Sequence, residues 1–282
     1  LRKGSFPVVW CPERETVVGD HDRISGEGET PQEYCLLKFR GDASMLVAAT
    51  LRPETVFGQT NLWVDGSGTY ARARVDGEEW ICSQQMPAKL RLQGHEVEEL
   101  GTIAGRELIG QRFAAPGVDR ELMVLPADFC DAAIGSGIVT SVPSDAPDDW
   151  QGLADLQDSA ALCEQWGLNH KYIKEIEPLA IIDSGEFGTV PAPALCQQMG
   201  VRDQHDRTRL EKAKQQLYLH SFQHGTMLDS VGMGCAGLPV DAAREKVCAA
   251  LIASGDAARY YELTGPARSR WLTDCTVKIV ED

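Results

Sequence analysis

The sequence predicts a mixed α/β protein of the α+β kind, and three observations predict it. Short runs of branched and aromatic apolar residues crowd the first half, whereas helical spacing begins only near residue 149. Strands and helices do not alternate, which excludes a βαβ repeat. Hydrophobic residues make up 43% of the 282 and charged residues 24%, enough for a sizeable core and too apolar for disorder.

Residues 1–33 are polar and Gly-rich, and predict an opening strand followed by an irregular loop. Leu36 to Arg40 and Met45 to Leu51 predict strands, rich in branched apolar residues. Val56 to Val64 predicts a third extended segment, and Trp80 to Cys82, Glu121 to Leu125 and Ile134 to Val142 continue the pattern. Residues 149–166 place Leu153, Leu156, Ala160 and Cys163 on one helical face, with Gly167 as the stop. Residues 203–220 gather Leu210, Ala213 and Leu217. Residues 241–254 gather Ala243, Val247, Ala250 and Leu251, with Gly255 after the end. No repeat or low-complexity segment interrupts the chain. Residues 167–200, rich in Pro and Gly, are the best candidate for an insertion.

Charge narrows the function classes. Lys and Arg number 27 against 42 Asp and Glu, a net charge of −15. A protein that grips nucleic acid over a broad surface is basic, so any such contact here is small or supplied by another part of a larger protein. No Lys or Arg occurs from Glu121 to His170, whereas Arg202, Arg207, Arg209, Lys212 and Lys214 cluster. The simplest reading of that cluster is a solvated helix face. Nine cysteines with no CxxC spacing point to reduced thiols in a cytosolic protein, not to a disulfide framework or a zinc ribbon. No apolar run reaches the ~18–20 residues of a membrane span. The N-terminus LRKGSFPVVW has neither an initiator Met nor a signal-peptide core, as expected of an excised internal fragment.

Generic catalytic motifs are absent: no GxGxxG before an acid, no GxxxxGK[ST], no HExxH, no GxSxG. His220 and His224 share a helix face, but two ligands without a third make a weak metal site. Asp20, His21 and Asp22 are consecutive, point in different directions and fit a polar loop.

Two segments stand apart. In AATLRPETVFGQTNLWV, residues 48–64, an apolar strand runs into Thr50, Arg52, Pro53, Glu54 and Thr55. Pro53 breaks strand pairing and makes a strand-to-turn junction, so two threonine hydroxyls and several backbone N–H groups face one spot. The plain alternative is a polar turn whose threonines satisfy their own backbone. In IGSGIVTSVPSDAPDDW, residues 134–150, a Gly-spaced strand ends in a turn bearing Asp145, Asp148 and Asp149 before a helix. Ser144 or Asp145 is expected to cap that helix. Three acids exceed the need of a cap, and an acid without a basic neighbour suits a bound ammonium group.

These two segments resemble the signature motifs of the editing domain of class I aminoacyl-tRNA synthetases for leucine, isoleucine and valine. LRPET together with VPSDxPDD is similar to the leucine-specific type of archaea and the eukaryotic cytosol. So are residues 19–38, ELIGQRFAAP (107–116), FGTVPAPALC (187–196) and residues 206–228. The resemblance covers nearly the whole chain and implies one editing domain over 1–282, with a β-barrel-like core, peripheral helices and a lineage-variable insertion at 151–230. HIGH-like and KMSKS-like signatures are absent, so the body of the synthetase, with its ATP and Mg, would lie outside the fragment.

Roles carry over residue by residue. Asp149 resembles the family's universal Asp that binds the α-amino group. Thr55 resembles the residue that sterically refuses leucine, and Thr50 the Thr that positions the water and the ester. Arg52 orders the same turn. Thr140 and Val142 fall where the family lines its amino-acid and terminal-adenosine pockets; Leu51 and Asp148, neighbours in the same motifs, are the other expected substrate contacts. TLRPET stands where bacterial members carry TTRPDT, Ile134 replaces an aromatic, and Ser136 replaces a common Thr. Residues 151–230 receive no roles.

The resemblance implies hydrolysis of the ester between a wrong amino acid (isoleucine, norvaline or methionine) and the 3′ end of tRNA(Leu). It implies no metal, no cofactor and no covalent nucleophile. The implied partners are the tRNA end and the rest of the synthetase in cis, in a cytoplasmic monomer with no membrane contact. The alternatives are an editing domain of the isoleucine or valine enzyme, a noncatalytic module that binds a tRNA end or a protein partner, and a thiol- or metal-dependent hydrolase.

Overall fold

A computed structural model describes residues 4–132 and 134–281; Leu1, from which the chain was read as an internal fragment, lies outside the described residues. β1 (Ser5–Cys11), β2 (Thr16–Val17) and β3 (Arg23–Ser25) precede the long β4 (Pro31–Arg40) and β5 (Met45–Thr50). β6 (Asn61–Val64), β7 (Thr69–Val75), β8 (Glu78–Ser83), α1 (Met86–Leu92), β9 (Val97–Ala104) and α2 (Gly105–Leu108) follow. Next come β10 (Arg112–Ala114), β11 (Glu121–Pro126) and β12 (Ile138–Ser141). The helical stretch comprises α3 (Pro147–Asp158), α4 (Ala160–Gln165), α5 (His170–Lys174), the short β13 (Ile182–Asp183), α6 (Pro191–Met199), α7 (Arg207–His224), the short β14 (Thr226–Met227) and α8 (Val240–Ser254). β15 (Ala257–Leu263), β16 (Arg268–Ser269) and β17 (Thr276–Glu281) come last.

One ten-stranded sheet organises the molecule, in the order β12-β6-β11-β10-β4-β5-β8-β7-β9, with β15 also paired to β4. Apolar residues on both faces of its central strands explain why it is buried on both sides. In β4, Leu36 and Leu37 are fully buried but enter different clusters, Leu37 the main core and Leu36 the one beneath Trp80 and Tyr260. β5 alternates likewise, Leu46 and Ala48 inward and Val47 to the other face. The barrel-like expectation holds only loosely, because the sheet curls without closing into a barrel. Its curl is clipped by Ser136: the Ala49 N–H donates to Ser136 Oγ (3.1 Å), and the Ser83 N–H donates to the Ser136 carbonyl (2.7 Å). This brings the start of β12 beside β5 and β8.

Several expected elements differ. The extended segment over 56–64 is instead a 3₁₀ turn over Pro53–Gly58 followed by β6. Pro53 supplies a helical φ and lacks the N–H a strand needs, and Val56 and Phe57 bury themselves from the turn. The strand expected over 134–142 starts only at Ile138, because Gly135 (φ 57°) and Gly137 (φ 74°) take left-handed conformations before it. The single helix over 149–166 is two. Ser159 is extended (φ −123°, ψ 99°), and its hydroxyl accepts the Leu162 N–H to cap α4. Ala160 and Ala250 are exposed, off their expected stripes.

The helix over 203–220 is α7, with Leu210, Ala213 and Leu217 fully buried. α8 ends at Gly255 with φ 81°, as its sequence predicts. The expected opening strand is β1, and the stretch after it, expected to be an irregular loop, holds β2, β3 and the start of β4. β15 and β17 return after the helices to pair with β4 and β1, so strands are not confined to the first half. All nine cysteines are free thiols. Among the described residues no helix is long and apolar enough to cross a membrane.

Candidate active site

The two motif segments meet. β5 leads into the 53–58 turn, β12 leads into α3, and between them opens a cleft of about 460 Å³. All eight residues singled out from the sequence line it: Thr50, Leu51, Arg52, Thr55, Thr140, Val142, Asp148 and Asp149.

The turn is held by its own side chains. The Arg52 N–H donates to Thr50 Oγ1 (2.9 Å), whereas Thr55 Oγ1 donates to the Arg52 carbonyl (2.8 Å). The threonines therefore do satisfy their backbone, but with opposite consequences. Thr50 accepts, so its O–H remains free to donate. Thr55 has spent its O–H and presents only lone pairs and a methyl group. Arg52 is the hub of the turn, and its Nε pairs with Glu54 Oε1 at 2.9 Å. Burial disfavours the Arg52 charge, and Glu54, Tyr218 and Asp145 more than offset that. Glu54 is 1% exposed; burial raises its carboxyl above the usual range against the pull of Arg52.

Asp149 sits in the first turn of α3 and is 5% exposed. Trp63 Nε1 donates to its Oδ1 (3.1 Å) and the Val142 N–H to its Oδ2 (2.8 Å). Both oxygens are thus aimed by rigid neutral donors, and among the described residues no cation is in ion-pair contact with them. Burial pushes the carboxyl up to about 7; the Val142 N–H and Trp63 oppose that, and Asp148 adds to it. Such a group is ready to receive a positive charge.

The expected cap differs. Neither Ser144 nor Asp145 caps α3, whose N-cap is Ala146. The turn is closed by backbone, with the N–H groups of Asp145 and Ala146 both donating to the Val142 carbonyl. Ser144 Oγ instead donates to Asp145 Oδ2 at 2.6 Å. Asp145 is 1% exposed, lines the cleft and is pushed by burial up to about 6. Its Oδ1, Glu54 Oε2 and Arg52 Nη2 are buried without a hydrogen-bond partner among the described residues. Asp148 also lines the cleft, but its carboxylate already faces Arg207 (2.7 Å) and Lys214 (3.8 Å).

The sequence offered no role for α7, yet α7 forms a wall of this cleft through Arg207, Lys214 and Tyr218. Only part of the basic cluster is a solvated face, since Arg209 pairs with Asp206 and Lys212 is exposed on the other side. Trp63 was also missed; a Trp beside the motif whose N–H must find an acceptor was the available signal. Ser136 proves to be the clip of the sheet. Ile134, 70% exposed, lines a neighbouring cavity that shares Tyr34 with the cleft. His220 and His224 lie 5.1 Å apart ring to ring, with Phe187 edge-on to His220. Among the described residues no three His, Cys, Asp or Glu side chains group as metal ligands would.

No family model matches the chain. Its sequence is 41% identical to the leucine–tRNA ligase of Aeropyrum pernix over 99% of this chain, and 40% identical to that of Methanopyrus kandleri over 99%. The chain spans only 29% and 30% of those two proteins. The solved structure GlLeuRS-CP1 superposes with a TM-score of 0.72 at 29% identity, over 81% of this chain and 99% of that one. The editing domain of the P. knowlesi cytosolic leucyl-tRNA synthetase shares the fold, with a TM-score of 0.74 at 22% identity over 82% of this chain and 97% of that one. Fold, cleft and matches together define an aminoacyl-tRNA synthetase editing domain. Within that class the chain matches the editing domain of leucyl-tRNA synthetases.

Proposed function

We propose that the 282 residues act as one post-transfer editing domain. Its cleft hydrolyses the ester joining a noncognate amino acid to the terminal adenosine of tRNA(Leu), and spares leucine. The observation that carries this is the buried Asp149 carboxylate, aimed by Trp63 and Val142, beside the Thr50–Thr55 turn. An aminoacyl ester has an ammonium one carbon from its carbonyl. Asp149 takes the ammonium, and the ligand's charge draws the carboxyl back into its ionised form. That places the carbonyl over the turn, where the Thr50 O–H can donate to the developing oxyanion.

Water adds to the carbonyl carbon, the bond to the ribose oxygen breaks, and that oxygen takes up a proton. As the family resemblance implies, the free ribose hydroxyl assists. Among the described residues no Cys or His lies in the cleft lining, so the residues present favour direct attack by water over an acyl-enzyme. Thr55 supplies the selectivity: the γ-branch of leucine strikes its methyl group, and isoleucine, norvaline and methionine pass. A pocket gains only about 1–3 kcal/mol per methylene, which is why a separate hydrolytic sieve is useful to a leucine enzyme.

The test is deacylation of Ile-tRNA(Leu) and Leu-tRNA(Leu), by this chain at high concentration and by a full-length synthetase carrying it. Hydrolysis of the isoleucyl ester with the leucyl ester intact is expected. Equal hydrolysis of both, or of neither by either protein, contradicts the reading.

A further inference from the structure

The two ends of the cleft differ in sign. Asp149, Asp145 and Glu54 line or underlie its inner end, each 5% exposed or less. No Lys or Arg occurs from Glu121 to His170, so β12 and the start of α3 bring no positive charge. Beyond Arg52, the cations of the cleft lining come from α7. Arg207 and Lys214 converge on Asp148, with side chains 50% and 40% exposed against 13% for Asp148. One carboxylate faces two cations, so the trio keeps a net positive charge, and each cation keeps an open face. Tyr218 continues the row inward: its ring centre lies 5.8 Å from the Lys214 ammonium and 5.0 Å from the Arg52 guanidinium. Asp148 and Asp149 are consecutive on a helix, about 100° apart around its axis, so one carboxylate serves the inner end and the other the outer.

We propose that Arg207 and Lys214 form a phosphodiester-binding edge of the cleft, held in place by Asp148 as a positioning residue. The proposal rests on the editing reading and deepens it. The substrate is bipolar, with an ammonium at one end and the phosphodiester of the penultimate linkage at the other. The cleft has the complementary polarity. Its cationic edge also offsets, at the one place where the RNA enters, the repulsion of a chain carrying −15.

The experiment compares two esters that share the isoleucyl group and the adenosine: Ile-tRNA(Leu), and 3′-O-isoleucyl adenosine, which has no phosphate. For the Arg207→Ala/Lys214→Ala double variant, the ratio of kcat/KM on the tRNA to that on the adenosine ester should fall at least tenfold, through KM. The slope of log KM against log salt on the tRNA should shrink by about 0.7 per lost contact. Lys214→Arg should restore both readouts in the Arg207-intact chain. An equal loss on both esters would mean that α7 merely braces the cleft, and no loss on either would mean no contact; each outcome overturns the proposal. The comparison is run in whichever of this chain and the full-length synthetase carrying it is active; if neither protein hydrolyses either ester, it is the editing reading that fails.

Discussion

The two walls of the cleft are held by different forces. The motif wall is fixed by hydrogen bonds of 2.8–3.1 Å, part-buried within the 50–55 turn and buried from Val142 and Trp63 to Asp149. The neutral bonds of the turn are worth about 0.5–1.5 kcal/mol each, and the two that end on the Asp149 carboxylate about 1.5–3 kcal/mol each when it is ionised. On the α7 wall the helix itself is anchored by its buried Leu210, Ala213 and Leu217, but the cationic side chains that face the cleft are half exposed, and the pairs of Arg207 and Lys214 with Asp148 contribute about 0–1 kcal/mol. A rigid wall suits chemistry, which needs atoms placed within a fraction of an ångström. A soft wall suits recognition of a long, charged and mobile partner.

The largest expected effect lies on the rigid wall. Asp149→Asn keeps the shape but removes the charge that holds the ammonium, and kcat/KM on Ile-tRNA(Leu) should fall by about 100-fold or more. A loss of less than about fivefold would move the ammonium site elsewhere, Asp145 being the next candidate. Thr55→Ala should come second, opening the pocket to leucine with a gain of about 10–200-fold in Leu-tRNA(Leu) hydrolysis. If Leu-tRNA(Leu) stays intact while thermal stability drops, Thr55 serves only the turn.

A third prediction concerns pH. Burial pushes the Asp149 carboxyl up to about 7, and it must be ionised to bind an ammonium, so kcat/KM should rise with pH through about 7 and fall again as the substrate's α-amino group, ordinarily near about 8, loses its proton. Stability runs the other way. The unfolded carboxyl ionises near 3.9, so between about 4 and 7 the folded chain holds the extra proton. There this carboxyl makes the fold less stable as pH rises, and above about 7 the effect is constant. Thermal melts of Asp149→Asn against the unsubstituted chain should isolate that slope. Trp63→Phe removes a donor that favours the charged form, so the activity limb should move to higher pH, with a loss of several-fold at pH 7. An unshifted limb would deny Trp63 that role.

The smallest effect sharpens the contrast within α7 itself. Arg209→Ala and Lys212→Ala change the face turned away from the cleft, and both should leave KM for Ile-tRNA(Leu) within about twofold. A larger change would mean that the whole basic cluster, not one edge, meets the RNA.

The same division explains what the sequence disclosed. The motif wall was legible because its residues are nearly consecutive, and Pro53 announces the turn that gathers them. The α7 wall was not, because Arg207, Lys214 and Tyr218 lie seven and four residues apart beside the apolar stripe of Leu210, Ala213 and Leu217. Their direction becomes clear only once α7 is docked. The break at Ser159 is a single cap inside an otherwise periodic run. β15 was missed because its pairing partner, β4, lies more than 200 residues earlier. Asp145 was expected, with Ser144, as the cap of α3; with the backbone closing the turn in its place, its carboxyl lines the cleft instead.

The central claim is that Asp149 holds the amino group of the substrate at the head of the rigid wall. A crystal structure of the domain with a nonhydrolysable 3′-amide analogue of isoleucyl adenosine tests it most directly. The account predicts the ammonium within hydrogen-bond distance of Asp149, the carbonyl facing Thr50 and the side chain against Thr55. An ammonium seated on Asp145 or Glu54, with Asp149 still bound only to Trp63 and Val142, would contradict it.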